Sequence, residues 1–195
     1  MIKRLFDIIF SFVGIVFLFP VFIIVSILIK IDSSGPVFFI QERVGQNGKL
    51  FKIIKFRSMK TNHNNSLTIT LENDKRITRI GKKIRKYKID EIPELINVFI
   101  GDMSFVGPRP DVPGYADLLK GESRNILKLR PGITSRASIK YANEEMILLN
   151  EDDPIAYNNN IIFPDKVKLN LNYYYNNNIW IDIKIIFATL FAVLK

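Results

Sequence analysis

An acidic pair, Asp90 and Glu91, stands just before a proline and an apolar run, and these residue types could do chemistry on phosphate. We expect Asp90 to be the N-cap of a short helix, with Pro93 in its first turn, where the missing N–H costs little. Apolar residues at helical spacing continue to Gly101, which offers a stop. The free N–H groups of a helix N-terminus attract phosphate. A carboxylate beside a phosphate favours either metal-bridged binding or attack on phosphorus. The simpler alternative is capping alone, with Glu91 solvated.

Cationic side chains that could neutralise phosphate oxygens occur in several other segments. Lys55 and Arg57 should share one face of a strand, because strand side chains alternate. Two prolines restrict the backbone around Arg109, and Arg130 precedes a Pro-Gly turn in which Gly132 could let the backbone approach a ligand. Fixed guanidinium groups suit bidentate phosphate recognition. The residues that we expect at phosphate are Lys55, Arg57, Arg85, Arg109, Arg130 and Gly132. The alternatives are a solvated strand face for the first two and, for the arginines, ion pairs with Asp102, Glu94 or Asp111.

Composition removes several classes of chemistry. The 195 residues include no cysteine, so disulfides, thiol catalysis and cysteine-bound zinc are excluded. The one histidine, His63, lies in a polar run over 61–73 that we expect to be a loop. Catalysis therefore falls to Asp, Glu, Lys and Arg. The net charge of +9 indicates an anionic partner: nucleic acid, anionic lipid or a nucleotide.

The N-terminus is almost wholly apolar from Leu5 to Ile29, which is long enough for a bilayer core of about 30 Å. Pro20 stands near its middle and should kink or break the helix, and basic residues flank both ends. We expect residues 1–32 to form a re-entrant membrane helix–break–helix that enters and leaves on one face. A full span and a soluble core helix are the alternatives.

The remaining chain, 33–195, predicts one compact, cytosol-facing domain of the α/β class, mostly helical with a short β-hairpin. Strands are expected over 37–44 and 50–57, joined by a turn at Asn47-Gly48. The basic run 77–88 is a solvated helix face or a contact for lipid headgroups. The C-terminal segment 179–195 is expected to be an amphipathic helix that packs on the core or lies in the membrane interface. Its predicted apolar face comprises Trp180, Ile183, Ile186, Phe187, Leu190, Phe191 and Leu194.

Six motifs, in this order, resemble the bacterial sugar transferase family, the small monotopic phosphoglycosyl transferases. The resemblance runs nearly from end to end, and the GDMSFVGPRP string is highly specific. The matching segments are Phe19-Pro20, 51–59 (FKIIKFRSM), 89–98 (IDEIPELINV), 101–110 (GDMSFVGPRP), 130–134 (RPGIT) and 182–186 (DIKII).

The resemblance implies a reaction and its residues. Members transfer a sugar 1-phosphate from a UDP-sugar to a polyprenol (undecaprenyl) phosphate and release UMP, the first membrane step of polysaccharide, O-antigen or glycoconjugate synthesis. By resemblance, Asp90 attacks the β-phosphorus and carries a phosphosugar intermediate, and Glu91 helps to hold Mg²⁺. Asp90 near a helix N-terminus should stay ionised. The expected location is the cytoplasmic face of the bacterial inner membrane, on an anionic lipid bilayer, with a second copy or downstream glycosyltransferases as partners.

The sequence departs from the commoner family pattern at two positions. Phe19 replaces a serine that many relatives carry before the proline, and Asn170 replaces an aspartate, so Asn170 could bind substrate but supplies no charge. Two other functions stay open. A catalytically silent, membrane-anchored scaffold of the same fold is disfavoured by the intact acidic pair. A basic nucleic-acid binder is disfavoured by the apolar N-terminus, and no groove-reading motif is visible, so we expect no nucleic-acid partner.

Overall fold

The computed structural model describes residues 2–60 and 76–193, so the predicted loop over 61–73, with His63, lies outside the described residues. The described part is mostly helical, with two pairs of short strands. The strands are β1 (Phe38–Val44), β2 (Leu50–Phe56), β3 (Ser104–Val106) and β4 (Gly132–Thr134). The helices are α1 (Ile2–Asp32), α2 (Arg79–Lys86), α3 (Glu94–Ile100), α4 (Arg136–Lys140), α5 (Glu144–Leu149), α6 (Pro154–Tyr157), α7 (Phe163–Asn176) and α8 (Ile179–Val193). Shorter 3₁₀ and π turns connect them.

Helix α1 is continuous through Pro20, so a break at this proline is wrong, whereas a kink there stays a prediction. A proline removes one backbone donor, but the long apolar runs on both sides keep their own hydrogen-bond ladders. Among the described residues, α1 is the helix long and apolar enough to cross a membrane by length and composition. Membrane re-entry itself stays a prediction.

Both ends of α1 contact the same domain. Near its start, Arg4 donates to the carbonyl of Val98 at 2.6 Å, and the Asp7 carboxylate accepts from the Phe105 N–H at 3.2 Å. At its end, the Asp32 carboxylate accepts from the Ile80 N–H at 2.9 Å. Most of the large apolar side chains of α1 are exposed. One side of the helix therefore packs on the domain, and the other side is an exposed apolar surface.

The predicted hairpin is confirmed to within one residue at either strand. Strands β1 and β2 pair antiparallel from Phe38 opposite Phe56 to Val44 opposite Leu50. Asn47 and Gly48 occupy the turn with positive φ, as predicted. The outer edge of β2 is bonded by a side chain of α3, because Asn97 Oδ1 accepts from the Ile54 N–H at 3.0 Å and Asn97 Nδ2 donates to the Lys52 carbonyl at 2.8 Å. This amide therefore fixes α3 against the hairpin.

A second strand pair was missed by the sequence analysis. Strands β3 and β4 are parallel, with Ser104 opposite Gly132 and Val106 opposite Thr134. Three-residue strands give too short a pattern to detect. The glycines let the two backbones meet: a Cβ on Gly132 would lie 2.1 Å from the Gly107 nitrogen. The close backbone approach expected at Gly132 is thus to Gly107, and its contact with a ligand stays a prediction.

Helix α8 is present, but the face predicted to be apolar is largely the exposed one. Trp180, Phe187 and Phe191 are exposed, whereas Asp182 and Ile185 are buried. Asp182 is buried because Lys3 Nζ lies 2.5 Å from its Oδ2 and the Tyr173 hydroxyl donates to its Oδ1. A buried ion pair thus replaces apolar packing at this position and joins α8 to the start of α1.

The contact between Gly107 and Gly132 yields a test of stability. We expect Gly132→Ala to lower the free energy of unfolding by roughly 1–3 kcal/mol, because the methyl group meets backbone that has little room to move. Thermal melting of the full chain in detergent measures this. Gly14→Ala is the control, since its Cβ would meet only a Leu95 methyl at 3.2 Å. Equal melting temperatures for Gly132→Ala and the unmodified protein would contradict the account.

Candidate active site

The acidic pair lies in a 3₁₀ turn, Ile89–Glu91, rather than at the cap of a helix. Lys88 adopts a left-handed conformation (φ 55°) and ends the preceding turn after α2. Helix α3 then begins at Glu94, with Pro93 in the cap position, and Gly101 ends it as predicted. The expectation that Asp90 is an N-cap is therefore wrong, because the chain turns sharply at Lys88 and tightens into a 3₁₀ turn first.

Asp90 is buried, at 7% exposed, and its Oδ1 atom has no hydrogen-bond partner. Burial raises the pKa of Asp90, and the neighbouring Glu91 charge raises it further. The positive charges of Lys55, Arg85 and Lys88 oppose this rise. Asp90 was expected to stay ionised at a helix N-terminus, but it lies in a 3₁₀ turn, and desolvation raises its pKa. Asp90 Oδ1 is therefore a buried carboxylate oxygen that is available to contact a ligand.

Glu91, in contrast, is strongly bound by cations. Its Oε1 accepts from Arg109 Nη2 at 2.5 Å and from Lys55 Nζ at 2.9 Å. Burial opposes ionisation of Glu91, but Arg109 and Lys55 outweigh it and hold the pKa of Glu91 well below its usual range. Glu91 in turn raises the pKa of Arg109. Glu91 is therefore a fixed negative charge beside Asp90.

A third carboxyl group, Glu94, was not predicted as a site residue. It is 2% exposed, and its Oε1 lies 3.1 Å from Lys55 Nζ without making a hydrogen bond. Burial raises the pKa of Glu94 to about 7, because the Lys55 charge offsets only part of the desolvation. Its spacing from the acidic pair gave no usable signal, because Asp90 and Glu91 lie in a 3₁₀ turn and α3 begins only at Glu94.

Glu94, together with the cations that hold Glu91, lines an open pocket whose empty space of about 230 Å³ includes solvent at its mouth, and Asp90 and Glu91 are not among its lining residues. It is lined by Arg43, Ile53, Lys55, Glu94, Arg109 and Pro110. Arg43 was also missed, although its place on β1 opposite Phe51 puts it in the same hairpin as Lys55. Of the cations predicted to bind phosphate, two line this pocket, Lys55 and Arg109.

The other predicted residues lie elsewhere or are otherwise engaged. Arg85 is electrostatically coupled to Asp90 but pairs with Glu145 at 2.5 Å. Arg57 follows the end of β2 and is buried, donating to the carbonyls of Ser33 and Ser34. Arg130 donates to the Gly101 carbonyl at 3.0 Å, and Asn170 is buried in α7. A structural role accounts for the contacts of Arg57 and Arg130, and substrate roles for these residues stay predictions.

The carboxylate oxygens of this site could supply some, but not all, of the ligands of a hard cation such as Mg²⁺. Among residues 2–60 and 76–193, no group of three or more His, Cys, Asp or Glu side chains could hold a metal ion. The unpartnered oxygen of Asp90 is nevertheless a suitable ligand, because Mg²⁺ prefers oxygen and often takes one or two carboxylates, with phosphates and waters completing its shell. Glu91 could join only by giving up a contact with Arg109 or Lys55.

Comparison with known proteins defines the family. The model of the bacterial sugar transferase family matches residues 1–195, and the chain belongs to this family. It is 35% identical, over 99% of its length, to UDP-N-acetylgalactosamine-undecaprenyl-phosphate N-acetylgalactosaminephosphotransferase of Aeromonas hydrophila, covering 44% of that protein. It is also 35% identical, over 98% of its length, to UDP-glucose:undecaprenyl-phosphate glucose-1-phosphate transferase of Escherichia coli, covering 40% of it.

A shorter relative matches over most of both chains. The exopolysaccharide production protein ExoY of Rhizobium meliloti is 31% identical over 99% of this chain and 85% of that protein. The chain therefore spans less than half the length of the two longer relatives but most of the shorter one. The two longer relatives are named for transfer of a sugar phosphate to undecaprenyl phosphate.

The buried Asp90 charge yields a second test of stability. We expect Asp90→Asn to leave the free energy of unfolding unchanged or to raise it by about 1 kcal/mol. The reason is that the amide removes a desolvated charge beside Glu91. Because the pKa of Asp90 is raised, its ionised form destabilises the fold at high pH, and this effect disappears as the pH falls below that pKa. Calorimetry at a series of pH values from 8 down to 4 should therefore show the difference in stability between Asp90→Asn and the unmodified protein narrowing as the pH falls.

The matched control is Asp153→Asn, at an N-cap whose carboxylate accepts from the Ala156 N–H at 3.0 Å. Asn is also a good capping residue, so this control should change stability little at any of these pH values. A marked loss of stability in Asp90→Asn at pH 8 would mean that the Asp90 carboxylate is a structural group with partners of its own.

Proposed function

We propose that this chain transfers a sugar 1-phosphate from a UDP-sugar to a polyprenol phosphate, with Asp90 as the nucleophile. The observation that carries the proposal is the buried, unpartnered Oδ1 of Asp90 beside a Glu91 whose charge is already compensated by Arg109 and Lys55. The names of the relatives, which specify undecaprenyl phosphate and sugar-phosphate transfer, support the class of substrate.

The reaction would proceed in two displacements. In the first, an Asp90 oxygen bonds to the β-phosphorus while the bond from that phosphorus to the bridging oxygen breaks, and UMP leaves with the bridging oxygen and its electron pair. In the second, a phosphate oxygen of the polyprenol bonds to the same phosphorus, and the Asp90 carboxylate leaves. A covalent intermediate divides one difficult step into two easier ones. The product is a polyprenol diphosphate sugar.

The cations at the site would stabilise the transferring phosphoryl group. Arg109 and Lys55 are already held by Glu91, so they cost little reorganisation when charge develops on phosphate oxygens. Arg85 and Lys88 act on Asp90 and favour its ionised form, which is the form that attacks. Mg²⁺, when bound at Asp90 with or without Glu91, would neutralise diphosphate oxygens.

We further infer that α1 lies in a bilayer, with both its ends on the cytoplasmic side. Its 31 residues extend about 46 Å at 1.5 Å per residue, and Arg4 and Asp32 both contact the catalytic domain. A full span would carry one end across about 30 Å of hydrocarbon, away from its partners. The exposed aromatic residues of α8, such as Trp180 and Phe191, would also meet the membrane interface. A polyprenol phosphate would then reach Asp90 without leaving the membrane.

The test is release of UMP by the full chain in nanodiscs with undecaprenyl phosphate, Mg²⁺ and a panel of UDP-sugars. We expect at least one UDP-sugar to support turnover and Asp90→Asn to reduce it by roughly a thousandfold or more, because the amide is not a nucleophile. Asp117→Asn is the control, since this half-buried carboxylate accepts from the Gly114 N–H at 2.8 Å and lies outside the pocket lining, and it should retain turnover.

Full turnover by Asp90→Asn would remove Asp90 as the nucleophile. No UMP release from any UDP-sugar would reject the proposed donor class.

A further inference from the structure

Arg43 is a partly buried cation whose charge has no close counter-ion. It lies near the end of β1, and its guanidinium donates to two neutral oxygens, the Pro110 carbonyl at 3.2 Å and Gln41 Oε1 at 2.7 Å. Its Nε atom is buried and has no hydrogen-bond partner. Within the part of the chain that the structure describes, Arg43 forms no ion pair. A buried donor without a partner, on a guanidinium whose charge no described ion pair neutralises, favours an anion at this position.

A second guanidinium faces the same pocket. Arg43 and Arg109 both line it, together with Lys55, and Glu94 is its one acidic lining residue. Burial lowers the pKa of Arg43, and repulsion from Arg109 lowers it further, while Asp111, Glu94 and Glu91 offset part of this. An anion bound between Arg43 and Arg109 would reduce the repulsion between their positive charges. Their planar forks match phosphate oxygens.

We propose that the pocket between Arg43 and Arg109 binds the phosphate of the leaving nucleotide, which is the α-phosphate of the donor. This assignment rests on the proposed function, since it names the place of one substrate group in that site. Glu91 connects the two halves of the site: it is next to Asp90 in the 3₁₀ turn and pairs at 2.5 Å with Arg109, which lines the pocket. A leaving group opposite the attacking Asp90 would thus fall towards the arginines.

The acceptor phosphate is the other possible source of the anion, and the position of Arg43 disfavours it. Arg43 is five residues along β1 from Phe38, or about 17 Å at 3.4 Å per residue. Phe38 stacks on Phe56, which packs in a cluster with Val25 and Ile29 of α1. The pocket therefore lies at the end of the hairpin away from this part of the apolar helix, where a water-soluble nucleotide arrives more readily than a lipid.

The experiment measures UMP binding by calorimetry to the full chain in nanodiscs, together with the KM values for donor and acceptor. We expect Arg43→Gln to raise the UMP Kd and the donor KM by about tenfold or more, as for the loss of one charge-assisted hydrogen-bonding group. The acceptor KM should stay within about twofold, because the acceptor phosphate does not enter this pocket. The control is Arg124→Gln, since Arg124 also donates to neutral carbonyls, those of Asp117 and Leu119, but lies outside the site.

Each remaining outcome overturns the assignment. An unchanged UMP Kd shows that the pocket does not take the nucleotide phosphate, and a raised acceptor KM with unchanged UMP binding assigns it to the polyprenol phosphate. Arg43→Lys is measured in parallel and carries the test if the glutamine variant does not fold. It keeps the charge but loses the planar fork, so UMP affinity should fall by about threefold to tenfold, and an unchanged affinity overturns the assignment.

The two proposals fail in distinguishable ways. If UMP binds through Arg43 but no UDP-sugar supports turnover, the proposed transferase reaction fails and the phosphate pocket stands. If UMP is released from a UDP-sugar but Arg43→Gln matches the unmodified protein in UMP affinity, the pocket assignment fails and the transferase reaction stands.

Discussion

The site depends on how three neighbouring, largely buried carboxyl groups share a small number of cations. Asp90, Glu91 and Glu94 lie within five residues, and Arg109 and Lys55 give their shortest contacts to Glu91. Glu91 is thereby held ionised, whereas the pKa values of Asp90 and Glu94 rise. This division leaves Asp90 Oδ1 without a hydrogen-bond partner among residues 2–60 and 76–193. The unfavourable burial of such a group is the expected condition of a nucleophile held ready for phosphorus.

The acidic pair and part of its cationic surroundings could be predicted from the sequence, because Lys55 and Arg109 stand in recognisable strand and proline contexts. The local backbone at Asp90 could not, since the left-handed residue at Lys88 follows from the way α2 ends and not from a cap signal. Arg43 and Glu94 were missed for a related reason. Their proposed roles follow from their burial and from the other residues that line the pocket. Neither property can be predicted from the amino-acid sequence alone.

In the fold, too, features that depend on neighbouring residues were predicted, and features that depend on residues far apart in the sequence were not. The hairpin was predicted because Asn47-Gly48 fixes its turn and alternation fixes its strands. The β3–β4 pair depends on the meeting of Gly107 and Gly132, which are distant in sequence. The burial of Asp182 in α8 depends on Lys3, at the other end of the chain, so apolar periodicity alone could not show which side of α8 packs on the domain. Pro20 was given too much weight, because a single lost donor does not end a long apolar helix.

The central claim is that Asp90 becomes bonded to a sugar phosphate. Intact-mass spectrometry of the enzyme mixed with its donor, without acceptor, measures this most directly. We predict a mass increase of one sugar phosphate, absent from Asp90→Asn and removed by adding polyprenol phosphate at a rate that matches turnover. An enzyme that turns over fully and yet never carries this mass, even when quenched early in the reaction, would contradict the account.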